Sequence, residues 1–319
     1  MDIKEVGLVA QRINENISRL LIGKQKEIDL VLTGLFAGGH VLLDDVPGTG
    51  KTVLAKNLAQ SVRCGFGRIQ FTADLLPSDI TGLSVYNQKT GEFDFQPGPA
   101  FTNILLADEI NRTTPRTQSA LLECMEEKQI TVDGETRVLG APFFVIATQN
   151  PVESSGTFAL PEAQLDRFLI RLTLGYPTDS ESVDILTSYL NGSPKVVLEP
   201  VATGEDIVAI QEAVPGVRVS EPIRKYIVEL VEATRKHDDV ELGISTRGML
   251  SLLRACQAYA AIHGRDYVLP DDVKALAEPV FAHRLILKVK YNSSAKAAEL
   301  VSRLLTSVPA PTESTTERL

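Results

Sequence analysis

"LLDDVPGTGKTVLAKNLAQ", Leu42 to Gln60, is the stretch that decides how the rest of the chain is read. It opens as an apolar run of strand length, turns through two acids, a proline and two glycines, and continues from Lys51 with the spacing of a helix. Backbone freedom and one lysine packed between a strand and a helix suit a phosphate. Gly48 and Gly50 let the backbone aim N–H groups at phosphate oxygens, Lys51 supplies a point charge for the terminal phosphates, and Thr52 can ligate Mg2+. Pro47 and Thr49 complete the loop, and the following helix adds its positive end. In the pattern GxxxxGK[ST] the first glycine is replaced here by Asp45. Aspartate tolerates positive φ, so the loop is expected to keep its shape.

Working outward, short and wholly apolar runs recur at 40–44, 67–72, 103–108, 142–148 and 167–174, separated by segments of helix length. Runs without alternation fit strands covered on both faces, which predicts a parallel sheet built from βαβ units. Two interruptions, 84–98 and 128–140, alternate around the turns "KTGE" and "VDGE" and read as β-hairpins projecting from that sheet. Residues 4–22 and "KEIDLVLTGLFAG" precede the first strand as helices. Beyond it, Thr178 and Glu181 form a capping box that starts a helical region, with further helices at about 204–214, 221–236, 246–263 and 270–282. Ser220, Thr246 and Pro270 lie near their starts. The expected division is an α/β domain over 1–176, an all-α domain over 177–306 and a disordered Pro, Thr and Glu rich tail over 307–319.

Two more motifs carry chemistry. "NILLADEINR" ends a buried strand with adjacent carboxylates: Asp108 can reach a Mg2+ shell, and Glu109 can orient and deprotonate a water aimed at a γ-phosphate. "FFVIATQNP" ends another strand at Asn150, an amide placed where that water or phosphate would lie. ATP and Mg2+ are therefore the expected cofactors.

Composition narrows the rest. At 319 residues and 44% hydrophobic content the chain can build two ordinary cores. With 32 basic against 41 acidic residues, a net charge of -9 argues against a protein whose main task is gripping a nucleic-acid backbone. Cys64, Cys124 and Cys256 form no CxxC and leave an odd count, so they are read as reduced core thiols in a cytoplasmic protein. His40, His237, His263 and His283 lack metal-ligand spacing and are read as structural or surface residues. The tract "HRLILKVK" (283–290) is read as a solvated helix flank. Neither an export signal nor a membrane span is expected.

The order of these motifs resembles that of AAA+ ATPases, with sensor 1 at Asn150 and, in "GISTRGMLSLLRAC", a sensor 2 arginine at Arg247. More narrowly, "FTADLLPSDITG", "EINRTTPRTQSALLECMEE", "ATQNPVESSGTFALPEAQLDRF" and "GISTRGMLSLLRACQAYA" resemble the MoxR family, over about residues 10–305. The resemblance implies a P-loop NTPase of the helix-2 insert branch: a five-stranded parallel sheet, two hairpin insertions and a C-terminal all-α lid. It also implies a ring, usually a hexamer, with a chaperone-like role in maturing or activating partner proteins. Proteins with von Willebrand factor A domains, encoded separately, are partners in the family, and metal-cofactor insertion or complex assembly are possible tasks. Arg167 in "LDRF" is expected to be the arginine finger, with Arg171 second.

Two other functions compete. A nucleic-acid translocase of the same branch would carry basic hairpin tips, whereas "QKTGE" and "DGETR" are mixed or acidic, which favours a protein substrate. A nucleotide-controlled scaffold would bind ATP and barely hydrolyse it.

Overall fold

The computed structural model describes residues 1–150, 157–190, 198–288 and 293–311. It divides into two compact units: Val9–Gln211, and Met1–Leu8 together with the chain from Glu212 on.

The first unit is built on a five-stranded sheet of β1 (Val41–Asp44), β2 (Phe66–Gln70), β5 (Ile104–Asp108), β8 (Phe144–Gln149) and β9 (Ile170–Leu172). Their order is β2-β5-β8-β1-β9, and every pairing is parallel. The expected parallel sheet is thus present, for the reason the unalternating apolar runs suggested. Val41, Leu42, Leu43, Leu105, Leu106, Val145 and Ile146 are fully buried, each worth about 2 kcal/mol in apolar burial. Helices α1 (Ile3–Ser18), α2 (Gln25–Phe36), α3 (Lys51–Ser61), α4 (Pro77–Thr81) and α5 (Pro115–Glu127) fall between or before these strands.

Both expected hairpins form. β3 (Gly82–Asn87) pairs antiparallel with β4 (Glu92–Pro97), and β6 (Gln129–Val132) with β7 (Glu135–Val138). The first is pinched at its neck. A Cβ on Gly98 would lie 2.3 Å from the Ile80 carbonyl, and one on Gly82, at φ +88°, would lie 2.3 Å from that of Gln96. Only glycine fits there.

The sheet-bearing unit continues through α6 (Glu162–Leu165), α7 (Asp179–Leu190) and α8 (Gly204–Ala213). The capping box at α7 is made as read. Thr178 N–H donates to Glu181 Oε2 at 2.7 Å, and Glu181 N–H donates to Thr178 Oγ1 at 3.3 Å.

The second unit holds α9 (Glu221–Lys236), α10 (Thr246–Ile262), α11 (Pro270–Phe281) and α12 (Ser293–Ser307). Its helical character is as expected, with one addition: β10 (Val240–Leu242) pairs antiparallel with β11 (Ile286–Leu287). That two-residue ladder is too short for an alternation to register in sequence. The expected disordered tail lies outside the described residues from 312 onward, as do the last two residues of the basic tract. Among the described residues, no helix is long and apolar enough to cross a membrane.

Candidate functional site

β5, β8 and β1 are neighbours, and the register aligns Leu43 with Thr148, Asp44 with Gln149, and Ala107 with Ala147. The loop after β1, the acid pair at the end of β5 and Asn150 after β8 therefore leave the sheet along one edge. β1 connects toward β2 on one side while β9 pairs on its other side, and the carboxyl ends at such a switch are where α/β sheets bind ligands.

Within the loop, Gly48 and Gly50 take φ of 87° and 96°, and Gly50 caps α3 from the left-handed region. A Cβ at Gly50 would meet Leu21 Cδ1 at 2.7 Å, whereas one at Gly48 would meet open space. Lys51 Nζ is folded back onto the loop, donating to the carbonyls of Asp45 and Val46 at 2.9 Å each. Thr49 Oγ1 donates to the Val46 carbonyl at 3.3 Å.

Asp45 departs from its expected reason. The non-glycine residues at positive φ among those described are Arg63, Glu109, Lys128 and Asp133, so Asp45 does not replace glycine by adopting a glycine conformation. Instead its buried carboxylate accepts N–H bonds from Leu174 at 2.6 Å and Gly175 at 3.0 Å, just past β9.

The acid pair is held by a polar set. Thr148 Oγ1 donates to Asp108 Oδ1 at 2.7 Å and accepts the Glu109 N–H at 2.8 Å. Asp108 Oδ2 pairs with Arg68 at 2.8 Å. Glu109 sits at φ 58°, ψ 50°, a left-handed conformation costing a glutamate about 1–2 kcal/mol, the kind of strain that collects at functional sites. Its carboxylate accepts from Gln70 at 2.8 Å and from Arg112 at 2.9 Å.

Asn150 is buried, and Asn111 Nδ2 donates to its carbonyl at 3.4 Å. Phe158 N–H donates to the Asn111 carbonyl at 2.7 Å, and Gln118 Nε2 donates to the carbonyls of Phe158 at 3.1 Å and Ile110 at 3.0 Å. One buried pair, Asn111 and Gln118, thus braces both ends of the segment from Asn150 to Phe158; its middle, 151–156, lies outside the described residues.

Sequence reasoning passed over Thr148, Arg68, Gln70, Asn111 and Gln118. The available signal was period two: Arg68 and Gln70 are the polar positions of "GRIQF", which places them on one face of β2.

The arginines divide. Arg167 donates to the Leu122 carbonyl at 2.7 Å and pairs with Glu126 at 3.0 Å, both on α5 of its own chain. Arg171, on β9, pairs with Asp44 at the end of β1. Arg247 lies at an exposed position in the first turn of α10, in the other unit, where the Ser245 hydroxyl caps the helix by accepting Gly248 N–H at 3.0 Å.

The residues fit a magnesium nucleotide. The lysine's present acceptors are neutral carbonyls that phosphate oxygens would outcompete, and the glycine geometry opens the loop to them. Among the described residues no group of three or more His, Cys, Asp or Glu could hold a metal ion by itself. Mg2+ on Thr52 and Asp108 would need phosphate oxygens as co-ligands, which is its usual mode.

Comparison with known proteins agrees with this geometry. Residues 40–170 match the ATPase family associated with various cellular activities (AAA), and residues 232–304 match the AAA lid domain. The chain is 52% identical over 300 residues to the uncharacterized protein YeaC of Bacillus subtilis, covering 94% of each. It is 40% identical over 306 residues to chaperone MoxR1 of Mycobacterium tuberculosis, covering 92% of this chain and 80% of that one. A crystal structure of a candidate ATPase from Cytophaga hutchinsonii matches with a TM-score of 0.88 and 38% identity, over 97% of this chain and 96% of that chain.

Proposed function

Since the chain belongs to the MoxR family of AAA+ ATPases, we propose that it hydrolyses ATP with Mg2+ and uses the cycle in a chaperone-like way to remodel or activate partner proteins in the cytoplasm. The observation that carries this reading is the convergence of Lys51, Asp108, Glu109 and Asn150 at the carboxyl ends of three adjacent parallel strands.

In this reading, Pro47 to Thr52 hold the phosphates through backbone N–H groups and the Lys51 ammonium. Asp108 and Thr52 would hold Mg2+, which when bound would neutralise charge on the phosphates. Glu109 takes the proton of the attacking water, with Gln70 and Arg112 both bonded to Oε2 and so orienting the carboxylate for that step. Asn150 positions the water or the γ-phosphate, with Asn111 keeping its loop in place. Arg247, on α10 of the lid, is assigned the role of sensing the γ-phosphate. Arg167 acts as a finger in the neighbouring subunit of a hexameric ring, leaving Glu126 to do so. Von Willebrand factor A domain proteins are the proposed partners.

The hairpins favour a protein substrate over a nucleic acid. Phe93 on β4 is 71% exposed and packs against Tyr86 with ring centroids 5.3 Å apart, and Val138 on β7 is 77% exposed. Arg137, the basic residue of the second hairpin tip, lies over the Phe95 ring at 4.0 Å and is paired with Glu135, which offsets its charge. ATP turnover measured with Mg2+, with and without single-stranded DNA and with a candidate partner protein, tests the proposal. Turnover raised by the protein alone supports it. Turnover raised only by DNA replaces it with a translocase, and no turnover under any condition leaves a nucleotide-controlled scaffold.

A further inference from the structure

Asp45 joins three parts of the site at one residue. Its N–H donates to the Gln149 carbonyl at 3.1 Å, next to Asn150. Its carbonyl accepts from Lys51 Nζ at 2.9 Å. Its carboxylate, in a residue only 2% exposed, accepts the N–H groups of Leu174 and Gly175. An ionised acceptor buried to this degree costs free energy unless it is bonded, and here two backbone donors satisfy it. A glycine at this place in the loop could make the first two contacts but not the third.

The chain past β9 has a second long-range tie. Lys24 Nζ donates to the Tyr176 carbonyl at 3.2 Å, and Gly175 sits at φ 66°, where the strand's direction ends. The segment 174–178 then feeds α7. The residue whose carbonyl holds the lysine in the loop therefore also holds, through its side chain, the start of that segment.

We infer that Asp45 is a positioning residue that couples occupancy of the phosphate loop to the segment leaving β9. When phosphate oxygens take the Lys51 ammonium, the Asp45 carbonyl loses its charged donor, its peptide readjusts, and the carboxylate carries the change to the amides of Leu174 and Gly175. This rests on the nucleotide-binding reading above.

Amide hydrogen exchange of the full-length protein, without nucleotide and with Mg2+ and ADP, reads the coupling directly. In the wild type, protection at Leu174 and Gly175 should change on ADP binding. In Asp45→Asn, which keeps the shape but turns an N–H donor toward one of the two amides, exchange there should rise about tenfold or more and no longer respond to ADP. Asp45→Gly, which can keep both backbone contacts and removes the carboxylate, should do the same when compared at ADP concentrations that calorimetry shows to saturate each variant. A purely structural Asp45 would alter basal protection without making it respond to nucleotide in the wild type. If ADP binds the wild type and the two amides do not respond, the coupling is wrong although the loop binds nucleotide. If ADP does not bind the wild type at all, the nucleotide reading and the coupling fall together.

Discussion

His40, the residue before β1, should make the sheet-bearing unit acid-labile. Its ring lies between Phe143, edge-on at 5.9 Å, and Phe144, stacked at 6.3 Å. Val145 N–H donates to Nδ1 at 3.0 Å, and Nε2 lies 3.0 Å from the Met125 carbonyl. A carbonyl cannot donate, so Nε2 carries the proton and Nδ1 is the bare acceptor; a second proton would have to enter on Nδ1 and would oppose the Val145 N–H. Burial pushes the ring down from 6.5 to about 4, opposed by the hydrogen bond to the Met125 carbonyl and helped by the Lys128 charge. Because the folded ring resists its proton more than the unfolded one, the stability linked to it is whole above pH 6.5. It drains as pH falls toward about 4, at about 1.4 kcal/mol per pH unit, for about 3 kcal/mol in all. Urea unfolding of the wild type and His40→Asn, compared at pH values spanning that window, isolates the effect from the many carboxylates the two share. His40→Asn should be the less stable protein at neutral pH, through lost packing, and its disadvantage should shrink by about 3 kcal/mol as the acid end is reached. Parallel loss of stability in both proteins would refute the reasoning, since it would mean that His40 takes its proton without penalty.

Lys51→Ala should abolish useful ATP binding, because the loop's N–H groups would have to balance the phosphates alone; unchanged affinity by calorimetry would end the phosphate-loop reading. Glu109→Gln should keep nucleotide bound and lower turnover by about 10² to 10⁴, and a wild-type rate would leave Glu109 as a turn residue at the end of β5. Arg167→Ala and Glu109→Gln should each be nearly inactive, yet mixing them under exchange conditions should restore part of the activity, since a finger supplied in trans can be worth about 10³ to 10⁵. If mixed rings form and activity stays at the sum of the two, Arg167 serves only to tie its loop to Glu126 and Leu122 of α5.

The chain's local patterns determined a good deal without any structure. Unalternating apolar runs meant doubly covered strands, "DDVPGTGKT" meant a phosphate loop between β1 and α3, and the Thr178–Glu181 spacing meant a helix start. Each of these depends on neighbours within a few residues, where backbone period and side-chain reach are dictated by the chain itself. Tertiary structure alone decided what those residues face. Asp45 looked like a tolerated substitute for glycine, but its carboxylate is met by amides about 130 positions further along. Glu109 looked like a free base, and it is held by Gln70 from a different strand. Arg167, which in sequence was a candidate finger, is engaged by α5. The physical reason is that a buried or half-buried charge must find its partner wherever packing brings one, and packing joins segments whose separation along the chain leaves no local trace.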